Sequence, residues 1–268
     1  MRRSTLLLSL LFVWVTQALA AESVLFDAKG TNLHYVIAGS GETVVLLHGF
    51  SGSANGLYIQ PGTFDALVDA GYQVVALDQV GHGKSGKPYD PDRYGMQMVE
   101  DIRRLMKQLD VDKIHLAGYS MGAKVANTFR SKYPDRLHTI ILGGYGWPWR
   151  SREMSYAEAL EGMTRRTVLP GNDIKALAAV SMTMHKLTPT EDNLRANSVP
   201  AFGIIGDKDA VVSAADFATF SATMAELQVI TIPGTHAGPD GAPYKPRYAQ
   251  EIIRFLAAYR APGAYGQR

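Results

Sequence analysis

The stretch Gly118-Tyr119-Ser120-Met121-Gly122 constrains this chain more than any other. Ahead of it, Lys113-Ile114-His115-Leu116-Ala117 has the apolar continuity of a short buried strand. Behind it, residues 123–130 read as a helix. A strand that turns into a helix at a single serine lifts that hydroxyl to the apex of a tight turn. The flanking Gly118 and Gly122 are then required, because side chains there collide with the neighbouring strand and helix. The pentapeptide alone is a weak signal, and the strand before it and helix after it make it informative.

The first twenty residues read as a leader. Arg2 and Arg3 form a basic start, residues 6–15 are an apolar run, and Ala18-Leu19-Ala20 is a small-x-small cleavage site. The run is short for a bilayer span. The expectation is therefore a signal peptide over 1–20, an exported protein (periplasmic or secreted) and no stable membrane span after cleavage; a retained N-terminal anchor is the alternative. Cleavage takes two of the 27 basic residues and none of the 25 acidic ones, which leaves a formally neutral protein. That balance gives no basis for a nucleic-acid partner. The chain has no cysteine, which excludes disulfides, thiolate metal sites, a cysteine nucleophile and a lipoprotein anchor. An exported chain without disulfides rests on its core, and 268 residues allow one large α/β domain with an insertion or two small ones.

Strands are expected at 23–27, 32–38, 43–47, 73–77, 113–117, 137–142, 201–205 and 227–232. Thr43-Val44-Val45-Leu46-Leu47 is apolar without alternation, the mark of a strand buried on both faces. Helices are expected at 64–70, at 94–109 with Met98, Ile102, Leu105 and Leu109 on one stripe, and at 214–224 and 248–259. Strand and helix alternate, so the fold class is α/β: a mostly parallel eight-stranded sheet with helices on both faces. After the sixth strand the alternation stops. Residues 147–198 read as a small helical cap inserted into a core made of 21–146 and 199–268. Its expected features are a helix over 153–166, a second capped by Asn172, and a capping box at Thr188-Pro189-Thr190-Glu191. The cap's Met and Trp side chains either line an apolar pocket or fasten the cap to the body. Two phosphate-binding look-alikes fail. Gly81-x-Gly83-x-x-Gly86 is followed by Pro88 and Pro91 where a helix would have to open, and Gly83-Lys84-Ser85 has Asp78 where the first P-loop glycine belongs.

A serine hydroxyl needs an adjacent base, and the base an orienting acid. In open α/β sheets such groups gather beyond the carboxyl ends of the strands. Three strand exits supply them in the order Ser120, Asp209, His236. Of seven histidines, His236 lies downstream of the acid loop between Gly234 and Gly238; His48 and His82 read as structural, and His34, His115, His138 and His185 as ordinary surface or core residues. Asp78 reads as a loop brace. Asp207 and Asp209 point the same way in an extended segment, so alternation does not separate them. Asp207 directly follows Gly206 and suits a turn brace, whereas Asp209 precedes the returning Ala210-Val211-Val212 and is the expected acid.

His48-Gly49-Phe50, Gly81-His82-Gly83-Lys84-Ser85, the Gly118–Gly122 pentapeptide, Gly206-x-x-Asp209 and Gly234-Thr235-His236 together resemble the cap-bearing branch of the α/β-hydrolase superfamily, over nearly the whole mature chain. The resemblance implies Ser120 as nucleophile, His236 as base, Asp209 as acid, and the backbone N–H groups of Phe50 and Met121 as the oxyanion hole. It implies no metal and no organic cofactor. Phe50, Tyr119, Trp147, Trp149 and Met182 are the substrate-pocket candidates. A serine nucleophile excludes the aspartate-nucleophile branches. The expected function is an exported serine hydrolase of small, fairly apolar carboxylic esters. A carbon–carbon bond hydrolase or a cofactor-free perhydrolase on the same triad is the alternative, and a ligand-binding module with a vestigial triad stands behind both.

Overall fold

The computed structural model describes residues 20–147, 151–165, 169–224 and 226–260. The expected leader, apart from Ala20, and Trp149 lie outside the described residues. Strands β1 (Glu22–Asp27), β2 (Asn32–Ala38), β3 (Thr43–Leu47), β4 (Gln73–Asp78), β5 (Ile114–Tyr119), β6 (Leu137–Gly143), β7 (Ala201–Gly206) and β8 (Leu227–Ile232) form one sheet in the order β1-β2-β4-β3-β5-β6-β7-β8. β1 and β2 are antiparallel, as are β2 and β4; every other neighbouring pair is parallel. The apolar runs account for this order. β3, β5 and β7 are buried along their whole length in the middle of the sheet, while β1 and β8 at the edges keep outward-facing exposed residues.

Among the described residues the α-helices are α1 (Thr63–Asp69), α2 (Met96–Gln108), α3 (Met121–Lys132), α4 (Tyr156–Thr164), α5 (Ile174–Thr183), α6 (Glu191–Arg195), α7 (Ala214–Thr223) and α8 (Pro246–Ala257). On one face Phe64 and Leu67 of α1 join Ile252, Phe255 and Leu256 of α8 against Val44 and Leu46. On the other, α2 and α3 bring Ile102, Leu105, Val125 and Phe129 against Val45 and Leu47. Successive residues of β3 thus feed opposite cores, as the period of a strand requires. After β3 the chain enters a π-helical turn at Asn55–Ile59, where the Gln60 N–H donates to Asn55 O at 2.9 Å.

Between β6 and β7 lies the helical insertion. Ala159 and Met163 of α4 interlock with Leu177 and Ala178 of α5, and Phe50 and Met182 pack against that cluster. Ala179, Val180, Leu187 and Leu194 belong to the main core beneath. Three helix starts differ from expectation. α4 begins later, at a capping box between Ser155 and Glu158. α5 is capped by Asp173, whose carboxylate accepts from Lys175 N–H and Ala176 N–H; Asn172 spends its amide on Ser51 O at 2.7 Å. α6 is capped by Thr190 with Asn193. Thr188 and Pro189 stand outside that helix, with the Pro189 carbonyl accepting from Trp147 Nε1 at 3.3 Å.

Candidate active site

Ser120 stands between β5 and α3 with φ 56° and ψ −115°, a backbone conformation that costs a non-glycine residue on the order of 1–3 kcal/mol. The turn is held from both sides: the Ser120 N–H donates to Gly143 O at 2.8 Å, and Ser120 O accepts from Lys124 N–H at 3.0 Å. The two glycines are required by neighbours already in place. A Cβ on Gly118 would run into the Gly122 backbone, and one on Gly122 into the carbonyls of Leu47 and His48. β5 and α3 therefore approach each other, and α3 approaches β3, as closely as backbone allows.

Three strand exits then meet. The Ser120 hydroxyl and His236 Nε2 are 2.9 Å apart, and His236 Nδ1 donates to Asp209 Oδ2 at 2.7 Å. The Asp209 carboxylate is nearly sealed from solvent, at 1% exposure, and the imidazole less so, at 14%. Burial pushes the Asp209 carboxyl up, but the hydrogen bond and charge of His236 and the N–H groups of Val212 and Val211 outweigh it, and its pKa ends below the ordinary value. Those two N–H groups reach Asp209 Oδ1 at 2.9 and 2.8 Å. Asp207 faces elsewhere and accepts from Gly234 N–H at 2.9 Å, bracing the base of the His236 loop. Tyr119 fastens the top of that loop: its hydroxyl donates to His236 O at 2.7 Å, and its ring lies 5.3 Å from the imidazole.

The second group of polar residues is a scaffold. Asp78 Oδ2 accepts from His34 Nδ1 at 2.8 Å and Lys84 N–H at 2.9 Å, and Oδ1 from Ala54 N–H at 2.8 Å. Asp78 so ties β2, the loop after β3 and the glycine-rich loop together. His48 donates from Nδ1 to Gly49 O at 2.8 Å and accepts at Nε2 from Gln79 N–H at 3.0 Å. Burial lowers its pKa despite Asp78, and burial with the neighbouring His48 takes His82 down to about 3. Both imidazoles are neutral at physiological pH and serve as geometry. This scaffold sets Phe50, which begins the turn after β3, with its ring edge-on to His82 at 5.9 Å. Met121 opens α3, where its N–H is among those that lack an intrahelical acceptor.

Two cavities adjoin Ser120 and His236. One, of about 340 Å³, runs under Phe50, Leu57, Leu169, Pro170 and Tyr244 and includes Tyr119. The other, of about 400 Å³, is bounded by Phe50, Met121, Lys124, Ser151, Ser181 and Met184. Of the expected pocket residues, Phe50 lines both and Tyr119 one. Trp147 and Met182 line neither. The Trp147 indole is turned to Pro189, and Met182 is drawn into the seam between α4 and α5; on α5 it is Ser181 and the following Met184 that face the serine. Lys124, Leu169, Pro170 and Tyr244 went unread in the sequence because they come from separate loops and helices. Lys124 alone carried a signal, a lysine one helical turn after Ser120 in an otherwise small and apolar stretch. Among the described residues no group of three or more His, Cys, Asp or Glu is placed to hold a metal ion, and no helix is long and apolar enough to cross a membrane.

Residues 42–247 match the family model described as alpha/beta hydrolase fold. The chain belongs to the α/β-hydrolase family. This α/β-hydrolase is 37% identical over 120 residues to 2-hydroxy-6-oxo-6-phenylhexa-2,4-dienoate hydrolase of Comamonas testosteroni, an alignment covering 45% of the chain and 42% of that protein. It is 33% identical over 168 residues to 2-hydroxy-6-oxononadienedioate/2-hydroxy-6-oxononatrienedioate hydrolase of Escherichia coli (strain K12 / DH10B), covering 62% and 52%. The chain thus spans about half the length of the curated relatives it matches. The enol-lactonase of Burkholderia xenovorans LB400 shares the fold, with a TM-score of 0.74, 17% identity, and coverage of 87% of this chain and all of that one.

Proposed function

We propose that this α/β-hydrolase is a serine-nucleophile enzyme that cleaves the bond between a carbonyl carbon and its neighbouring carbon in small oxo-acids of the 2-hydroxy-6-oxo-dienoate type. One observation carries the chemistry: the unbroken hydrogen-bond chain from Ser120 through His236 to Asp209. The bond cleaved is inferred from the relatives named above, whose names specify 2-hydroxy-6-oxo acids. They favour carbon–carbon cleavage over the ester cleavage that the sequence alone put first. His236 takes the Ser120 proton as the oxygen attacks the carbonyl. The N–H groups of Phe50 and Met121 receive the oxyanion, and Asp209 steadies the imidazolium. His236 then gives the proton to the departing carbon, and water, activated the same way, releases the acid from Ser120. The insertion acts as a cap that keeps the carbanion-like leaving group from bulk water.

Ester hydrolysis is the second reading, and the leader-like residues 1–20 favour it. An exported protein meets esters more readily than oxo-dienoates formed inside the cell. The deciding experiment offers purified protein 2-hydroxy-6-oxo-6-phenylhexa-2,4-dienoate, followed by loss of its dienolate absorbance, beside a p-nitrophenyl ester series of increasing chain length. A larger kcat/KM for the dienoate is expected. Efficient ester turnover with none of the dienoate moves the assignment to an esterase. In either case Ser120→Ala is expected to lose on the order of 10³-fold or more in kcat. A variant with full turnover removes the mechanism altogether.

A further inference from the structure

A second serine is bonded to a histidine whose other ring nitrogen is held by a carboxylate. Ser23 Oγ and His34 Nε2 are 2.7 Å apart, and His34 Nδ1 donates to Asp78 Oδ2 at 2.8 Å. The chemical order is that of Ser120, His236 and Asp209, where the corresponding distances are 2.9 and 2.7 Å. Ser23 lies on β1, His34 on β2 and Asp78 at the end of β4, three strands that are neighbours in the sheet. None of the three borders either cavity at Ser120.

The carboxylate sets the polarity of this chain of bonds. Asp78 also accepts from Lys84 N–H and Ala54 N–H. Burial pushes its carboxyl up, but His48, those two N–H groups and His34 outweigh it, and its pKa ends below the ordinary value. An ionised acceptor at Nδ1 keeps the ring hydrogen there, so the neutral imidazole presents a bare lone pair at Nε2. The Ser23 hydroxyl then donates to it, which is the direction a general base requires. His34 is only 4% exposed, whereas Ser23 is exposed, so the base is shielded and the hydroxyl is open to a reagent. Leu25, the cross-strand partner of His34, is 60% exposed and shares a strand face with Ser23. It offers an apolar seat for an aryl group beside the hydroxyl.

We propose that Ser23 is a second reactive serine, a modification site that takes an acyl group from activated aryl esters with His34 as its base. The Ser23 oxygen bonds to the carbonyl carbon as the bond from that carbon to the aryloxide breaks. The hydroxyl proton passes to His34 Nε2 and from there to the departing aryloxide. The site is separate from Ser120 and independent of which bond Ser120 cleaves.

Ser120→Ala protein, which lacks the competing nucleophile, tests it. The protein is treated with 4-nitrophenyl acetate, folded and in urea, and fragment-ion mass spectrometry follows acetylation of the Ser23 oxygen. Folded Ser23 is expected to react about 10²-fold or more faster than unfolded Ser23, the lower end of general-base assistance. Adding His34→Gln, with folding confirmed by its melting curve, is expected to remove that advantage, and adding Ser23→Ala to remove the label. A folded rate at or below the unfolded one overturns the proposal without any change at His34. An advantage that survives in folded His34→Gln overturns it too, because the base is then not His34.

Discussion

At Asp209 three donors converge on one carboxylate: His236 Nδ1 on Oδ2, and the N–H groups of Val211 and Val212 on Oδ1. Two residues earlier, the Asp207 carboxylate accepts instead from Gly234 N–H. The same side chain thus serves two ends, and the two can be separated by experiment. Asp209→Asn leaves the packing intact but offers His236 the wrong partner, so a loss approaching about 10⁴-fold in kcat is expected. Asp207→Asn is expected to keep most of its turnover and to melt earlier. A dead Asp207→Asn beside an active Asp209→Asn would reverse the assignment. The pKa of Asp209 lies below its ordinary 3.8 in the folded state. Its ionised form therefore stabilises the fold above pH 3.8, and that contribution is lost as pH falls through the lower folded value. The melting-temperature gap between wild type and Asp209→Asn is expected to be full at neutral pH and to narrow only below 3.8; a gap independent of pH would show that the charge is not what Asp209 contributes.

The helical insertion is an element of a different kind from a detachable lid. α4 and α5 share their own small core, but Val180, Leu187 and Leu194 continue the main core, and Asn172 is bonded to the loop after β3 through Ser51 O. Burying side chains of this size contributes about 1.5–3 kcal/mol each, and together they approach the whole stability of a domain. Replacing residues 147–198 by a short linker is therefore expected to give a protein without a cooperative thermal transition, scored by circular dichroism and calorimetry. A folded deletion with wild-type labelling of Ser120 by a fluorophosphonate would show that the insertion is dispensable to the body.

For the whole molecule, one prediction concerns export. The basic start, the apolar run and Ala18-Leu19-Ala20 place the proposed cleavage after Ala20. Mass spectrometry of protein recovered from periplasm or medium is expected to find Ala21 as the first residue. An intact Met1 on a membrane-bound product would make the segment an anchor. The architecture was legible because its signals are local: an apolar run without alternation is a central strand wherever it stands, as at Thr43–Leu47 and Ala201–Gly206. The central strands came from such runs, and the chain order Ser120, Asp209, His236 from the glycine-bearing loops that follow β5, β7 and β8.

What the sequence by itself determined was the sheet, its helical cover and the three residues that meet above it, because backbone period and turn chemistry act over a few residues. The tertiary structure alone decided what surrounds them. Trp147 and Met182 have the character of pocket walls, yet packing turned them to Pro189 and to the α4–α5 seam. Asn172 has the character of a helix cap, but Ser51 O, 121 residues away along the chain, claims its amide and leaves the cap to Asp173. Lys124 was not singled out in the sequence, yet it is buried on α3 with its Nζ on the Ser151 hydroxyl of the insertion. Each of these outcomes depends on which distant atom arrives within a few ångströms, and no local pattern encodes that distance.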